Sequence, residues 1–142
     1  MWQINNNFLR AKYEGEFKNG KKNGTGKIVY EEDGAIYEGD WQNDQKHGRG
    51  KSFINGCVYI GGYKFGKRDG SGILTSLSGT IYEGEFKNDR KHGVGKLTYP
   101  LISPDEPQRI VEGIWEKDRL VDDNRPKTST SVTVQQQTLI LD

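Results

Sequence analysis

The sequence predicts an all-β protein, an elongated single-layer antiparallel sheet of consecutive β-hairpins that repeats like a solenoid. Three observations predict it. A Tyr-Glu-Gly motif recurs with spacings of 24, 22, 23 and 29 residues, apolar and polar residues alternate around each copy, and 19 of the 142 residues are glycine. A period of 20–50 residues is typical of repeat architectures, and alternation with period two is typical of half-buried strands.

The repeated unit is defined by an aromatic residue and glycines at fixed positions. Tyr-Glu-Gly begins at Tyr13, Tyr37 and Tyr82, and it appears as Tyr-Ile-Gly at Tyr59 and Val-Glu-Gly at Val111. A second aromatic residue follows two positions after each of these glycines, and a Gly-x-Gly follows in four units. The sequence therefore contains five units, the last of them truncated.

Each unit predicts one β-hairpin. Residues 13–18 alternate as a strand does, residues 19–24 form a turn-rich stretch, and a second alternating run ends near Tyr30. Another turn at Asp33-Gly34 leads into the next unit. Ten strands about 4.8 Å apart give a sheet of roughly 40–50 Å. No segment shows a sustained helical period.

Composition limits the class of protein. Hydrophobic residues make up 32 % of the chain, too few for the two-sided core of a doubly wound α/β enzyme, and the net charge of +1 argues against bulk nucleic-acid binding. No apolar run approaches the ~18 residues of a membrane span, and MWQINNNFLR lacks the apolar stretch of a signal peptide. A lone cysteine, Cys57, forms no internal disulfide.

The domain organisation follows from the period. We predict an N-terminal cap over residues 1–12, a repeat array over 13–122 and a C-terminal tail over 123–142. The proline-rich segment 100–110 is expected to project as a loop and to break the edge pairing of the sheet. The tail either stays disordered or adds an edge strand, and the sequence leaves both open.

Two segments carry a family resemblance. YEGDWQNDQKHGRGK at 37–51 and YEGEFKNDRKHGVGK at 82–96 resemble the MORN repeat (membrane occupation and recognition nexus). The third unit departs from the pattern, with Ile60 in place of Glu and Asp69 in place of His. The resemblance implies a non-enzymatic, cytoplasmic, cytoskeleton-associated scaffold, such as a subunit of a ciliary or flagellar axoneme or radial spoke.

Residues that catalysis or metal binding would need do not form a convincing set. Gly50-Lys51-Ser52 lacks the first glycine of a phosphate-binding loop. His47 and His92 share one turn position two repeats apart, about 19 Å from each other at ~4.8 Å per strand, too far to share a metal. Acidic pairs recur in three units, as Glu14/Glu16, Glu38/Asp40 and Glu83/Glu85, and this repetition indicates a solvated face with lysines on the neighbouring strands. We therefore predict no catalytic, cofactor or metal site and no small-molecule substrate.

The aromatic residues are the predicted partner-binding set because they fall on matching strand positions and line one face. Either the rings pack on each other through the glycine gaps, or they form a groove for a partner segment. The set is Tyr13, Phe17, Tyr37, Trp41, Tyr59, Tyr63, Tyr82, Phe86 and Trp115.

Basic residues concentrate near the predicted turns. The stretches 17–30, 41–54, 63–76 and 86–99 hold 14 basic and 3 acidic residues. They either protect a sheet edge from aggregation or form a docking surface for inositol lipid headgroups or acidic protein surfaces. The predicted lipid contacts are Lys21, Lys22, Lys46, Lys67, Arg68, Arg90 and Lys91. The predicted partners are therefore other proteins of a large assembly or an anionic membrane surface, with homo-oligomerisation left open.

Overall fold

The computed structural model describes residues 2–6 and 9–123, which form one open antiparallel sheet of eleven strands in sequence order. The all-β, single-layer architecture predicted from the repeat is confirmed. The strands are β1 Trp2–Asn6, β2 Leu9–Lys18, β3 Lys21–Tyr30, β4 Ile36–Gln42, β5 Gln45–Ile54, β6 Cys57–Lys64, β7 Lys67–Thr75, β8 Ile81–Lys87, β9 Arg90–Thr98, β10 Ile110–Glu116 and β11 Arg119–Asp123. The repeat predicts ten strands, and the additional strand is β1, which pairs with β2 and lies in the segment predicted as a cap.

Five two-residue turns lie along one edge of the sheet, which we call the turn edge. Both residues of each turn have positive φ, as in Asn43 (47°) and Asp44 (67°), the geometry that matches the twist of a hairpin. The prediction of a turn over residues 19–24 is therefore wrong beyond Gly20, because β3 already begins at Lys21. His47 and His92 likewise lie in strands, not in turns.

The second glycine stretch of each unit makes a β-bulge. Around Gly24 (φ 96°), β3 carries two more residues than β2 between the pairs Gly15↔Gly26 and Phe17↔Lys22. The same shift recurs in the next three units. A bulge increases the local twist of the strand. On the turn side of each bulge, the basic residue pairs with an aromatic residue, as Lys22 does with Phe17 and Lys46 with Trp41.

Pairing continues across the proline-rich segment, so the predicted break is wrong. Thr98 pairs with Ile110, and the backbone N–H of Tyr99 donates to the carbonyl of Arg109 at 2.9 Å. The prolines lie outside the ladder, in the connecting loop, where no strand hydrogen bond is lost. The predicted tail lies outside the described residues except for Asp123.

A row of strand glycines crosses nine strands in direct register and divides the sheet. The row is Gly15, Gly26, Gly39, Gly50, Gly61, Gly72, Gly84, Gly95 and Gly113. The rings of the repeat tyrosines lie over it, and this side of the sheet is the aromatic face. The opposite side, which carries Glu14, Lys27 and their equivalents, is the charged face.

Candidate partner-binding surfaces

The nine predicted aromatic residues form one continuous ladder. Neighbouring rings meet edge to face with centroids 5.0–5.4 Å apart and interplanar angles of 80–89°. The ladder runs in the order Phe17, Tyr13, Trp41, Tyr37, Tyr63, Tyr59, Phe86, Tyr82 and Trp115. This geometry opposes the positive ring edge to the negative ring face, which favours such pairs beyond their buried area.

Packing within the ladder buries the rings. Eight of the nine are 0–6 % exposed, whereas Phe17 at the open end is 37 % exposed. The tyrosine hydroxyls are also used internally: Tyr37 Oη donates to the carbonyl of Asp40 at 2.8 Å. Burial raises the pKa of Tyr59 and of Tyr82 to about 12. Of the two arrangements left open by the sequence, the rings adopt mutual packing, and contact of these nine residues with a partner stays a prediction.

Four of the seven predicted lipid contacts lie over the ladder instead of projecting from turns. Lys22 Nζ is 5.3 Å from the Trp41 centroid, and Lys46 Nζ is 4.9 Å from that of Tyr37. The basic residues of the next two hairpins lie over Phe86 and Trp115 in the same way, at 5.3 Å each. The four residues are Lys22, Lys46, Arg68 and Lys91. The other three, Lys21, Lys67 and Arg90, are exposed at the turn edge.

Three of these four basic residues are met by an aspartate from the next turn. Asp44 Oδ1 accepts the backbone N–H of Lys22 at 2.8 Å and lies 3.5 Å from its Nζ. Asp89 does the same for Arg68, and Asp118 accepts the backbone N–H of Lys91. Each aspartate therefore ties its hairpin to the preceding one.

Lys46 is the exception. The turn that faces it is Phe65-Gly66, which has no carboxylate, and only a backbone bond from the Gly66 N–H to the Lys46 carbonyl (2.9 Å) remains. Within residues 2–6 and 9–123, no side chain accepts from the Lys46 backbone N–H and no acid lies within ion-pair distance of its ammonium. Burial lowers the pKa of Lys46, and the Asp89 charge opposes this shift.

Acidic residues of the charged face have two separate roles. The first acid of each pair lies opposite lysines, as Glu14 and Glu38 both do with Lys27, which agrees with the solvated face predicted from the sequence. The second acid closes the bulge: Glu16 accepts the backbone N–H and the hydroxyl of Thr25, hydrogen bonds that lower the pKa of Glu16.

In the third unit this charged row is interrupted by isoleucines. Ile60 stands where other units have Glu, and its register partner Ile73 stands where they have Lys. Ile60 and Ile73 are 46 % and 42 % exposed, and Val94 nearby is 60 % exposed. Together they line a hollow of about 860 Å³ on the charged face. The sequence signalled Ile60, but not that Ile73 and Val94 lie beside it.

His47, which the sequence offered as a metal-ligating residue, has a structural role. His47 Nδ1 accepts the backbone N–H of Phe65 at 3.4 Å, and the two rings pack with centroids 5.4 Å apart. In the described part of the chain, no group of three or more His, Cys, Asp or Glu side chains is placed to hold a metal ion. The same residues include no helix that is long and apolar enough to cross a membrane.

A one-layer sheet of hairpins with a ring ladder and a glycine row defines a β-repeat protein. The MORN-repeat family profile matches residues 13–33, 37–58, 59–81 and 82–100, more than half of the chain. The chain therefore belongs to the MORN-repeat family. A comparison with curated proteins found no match.

Proposed function

We propose that this MORN-repeat chain is a non-enzymatic scaffold that binds partner proteins within a cytoskeletal assembly, such as a ciliary axoneme or radial spoke. Membership of the family supports a role in protein or membrane interactions. The assembly itself rests on the resemblance of a short repeat array to structural subunits of this kind.

The observation that carries the proposal is the apolar hollow on the charged face. Clusters of exposed apolar side chains on a protein surface mark binding sites more often than solvated charged rows do. Here Ile60 and Ile73 pair with each other where the repeat otherwise places Glu and Lys, and Val94, two strands beyond Ile73, lines the same hollow. The occupant that fits is a partner segment with apolar side chains against the isoleucines and a basic side chain directed at the acidic lining residues Glu83, Glu85 and Glu112.

The ring ladder supports this role differently. Its rings are buried, so an alanine substitution at Trp41 or Tyr63 would open the core and would not separate binding from folding. The ladder instead keeps a single-layer sheet rigid, and rigidity lowers the cost of ordering an interface.

Anionic lipid binding has less support. Lys22, Lys46, Arg68 and Lys91 have their charged groups over the rings, and Lys22 and Arg68 are already paired with aspartates. Only three of the seven predicted contacts, Lys21, Lys67 and Arg90, are exposed at the turn edge for a membrane surface. We therefore place the working surface of the protein on the charged face.

The test uses the repeat's own residues. A photoreactive amino acid at Val94 would crosslink the partner in cells, and binding of the purified partner would then be compared between wild type and an Ile60→Glu/Ile73→Lys variant. Half-exposed isoleucines that become buried contribute roughly 1 kcal/mol each, and burying the new charges costs more. We expect a loss of about 3 kcal/mol, close to 100-fold in Kd.

The matched control removes a charge pair on the same face in the first unit. Glu14→Gln/Lys27→Gln lies outside the hollow, and Glu38 keeps Lys51 as its other cross-strand partner. It should leave the affinity within a factor of two or three. Equal binding by wild type and the Ile60→Glu/Ile73→Lys variant would overturn the hollow as the binding surface. Release of the protein with membranes by detergent or moderate salt, instead of retention in the cytoskeletal pellet, would overturn the scaffold role.

A further inference from the structure

The aromatic face has one position where the repeat leaves a basic side chain without its carboxylate. At three of the four basic steps the geometry is the same: an aspartate at the second turn position accepts the backbone N–H of the basic residue at 2.8–2.9 Å. At the remaining basic residue, Lys46, the position of the turn aspartate is occupied by Gly66.

The space for the missing carboxylate is open. A Cβ atom added to Gly66 would meet no heavy atom within 4 Å. A pocket of about 440 Å³ lies beside it, lined by Lys46, Ser52, Tyr63 and Asp89 among others. Asp89 does not fill the role, because its Oδ1 and carbonyl oxygen accept hydrogen bonds from Arg68 at 2.8 Å and 2.6 Å.

A second departure lies at the same turn. The first turn position is Asn or Lys in the other hairpins of the turn edge, but here it is Phe65. Its side chain is 62 % exposed and lies beside the His47 ring and Lys64 Nζ. Phe65 adjoins Gly66, which lines the pocket that contains Lys46. A single partner segment can therefore make an apolar contact with the ring and a charge contact with the lysine.

We propose that this turn binds an acidic segment of a partner protein, with an Asp or Glu carboxylate against the ammonium and backbone N–H of Lys46 and an apolar side chain against Phe65. The inference rests on the proposed function in requiring a protein partner, but it uses the opposite face of the sheet. The site takes a carboxylate because the molecule already makes this contact with its own aspartates at three other turns.

A doubly charged anion such as a phosphate fits less well. Arg68 and Asp89 both line the same pocket and are paired with each other, which leaves the single charge of Lys46 to balance a ligand. One carboxylate matches that charge better than a dianion does. The precedent at Lys22 also defines a two-point contact, with one carboxylate oxygen 2.8 Å from the backbone nitrogen and 3.5 Å from Nζ.

The test is an NMR titration of the full chain labelled with ¹⁵N. The probe is N-acetyl-aspartyl-phenylalanine amide, and the matched probe replaces aspartyl with asparaginyl. We expect the acidic probe to shift the backbone amide signals of Lys46 and Gly66 in a saturable way. The neutral probe should bind at least tenfold more weakly.

Two variants separate the site from general charge effects. Gly66→Asp restores the aspartate of the other turns at φ 80°, close to the 67–69° of the native turn aspartates, so it should fold and fill the pocket from within. Lys46→Met keeps the side-chain stem over Tyr37 and removes the ammonium. Both should weaken the acidic probe at least tenfold, whereas Lys87→Met, an exposed lysine at the next turn, should not.

Equal shifts with the neutral probe, shifts spread over all lysines, or unaltered binding by Gly66→Asp would each overturn the site. No shift at all in the full chain would also overturn it, since the pocket would then be closed or already filled. Failure here leaves the scaffold proposal intact, because that proposal depends on Ile60 and Ile73 on the other face. Loss of partner binding in the Ile60→Glu/Ile73→Lys variant is measured independently.

Discussion

One added methyl group at Gly50 tests whether the ring ladder depends on the glycine row. Gly50 lies in β5 beneath the ring of Tyr37, and a Cβ there would come within 2.5 Å of Tyr37 Oη and 2.6 Å of Cζ. Real Cβ atoms essentially never approach other heavy atoms this closely, so the ring must move. Gly50 is not among the positive-φ glycines, so Gly50→Ala probes the close approach and not backbone strain.

Moving the ring of Tyr37 disrupts several contacts at once. Its hydroxyl donates to the Asp40 carbonyl at 2.8 Å, a bond contributing about 0.5–1.5 kcal/mol. Its edge-to-face contacts with Trp41 at 5.1 Å and Tyr63 at 5.0 Å contribute about 0.5–1.5 kcal/mol each. Overpacking adds about 1–3 kcal/mol, and these losses overlap. We expect Gly50→Ala to lower the free energy of unfolding by roughly 3–5 kcal/mol.

Urea unfolding followed by far-ultraviolet circular dichroism measures this change, with Gly20→Ala as the matched control. Gly20 has φ 75° and open space around its Cβ position, so alanine there costs only the left-handed conformation, about 1–2 kcal/mol. A destabilisation by Gly50→Ala no larger than that of Gly20→Ala would refute the dependence of the ladder on the glycine row.

Two titrations give further predictions. The pKa values of Tyr59 and Tyr82, raised to about 12 by burial, mean that stability is fully present below pH 10 and is lost as pH rises from 10 to 12. Melting temperatures should fall by an amount equivalent to about 2–3 kcal/mol per ring, and phenolate absorbance from these two rings should appear only with unfolding or as the pH approaches 12. The hydrogen bonds from Thr25 lower the pKa of Glu16, so its stabilising effect is present above the ordinary glutamate pKa of 4.5 and is lost as the pH falls through the lowered value of the folded protein. Glu16→Gln should therefore flatten the acid limb of a plot of melting temperature against pH.

The sheet and its aromatic positions could be predicted from the sequence because both depend on local patterns. Alternation around Tyr13 fixes which side chains share a face, and the repeat carries that face through the later units. The positions of Lys22 and Lys46 could not be predicted in the same way. Their placement depends on where the turn ends, and the glycine-rich stretch contains both a two-residue turn and a bulge at Gly24 that look alike in sequence.

The apolar hollow shows the same limit. Ile60 was visible as a departure from the repeat, but its pairing with Ile73 depends on the strand register. Each bulge adds two residues to one strand, so the register beyond it cannot be counted from the period alone. The pocket beside Lys46 was hidden for a further reason: its defining feature is a missing aspartate at Gly66, which has meaning only once the other turn aspartates are seen to reach the preceding hairpin.

The third unit changes its surfaces while keeping its core. Tyr59 contacts Tyr63 at 5.3 Å and Phe86 at 5.0 Å, so the ladder crosses this unit with the geometry of its neighbours. The same unit replaces a glutamate of the charged row by Ile60 on one face and the turn aspartate by Gly66 on the other. Exposed isoleucine and a half-buried lysine without a carboxylate partner both cost stability or solubility, and nothing in the core requires them. The ladder and the glycine row stabilise the sheet independently of these positions. Departures that are costly for folding and confined to the surface are therefore what the two binding sites proposed above would require.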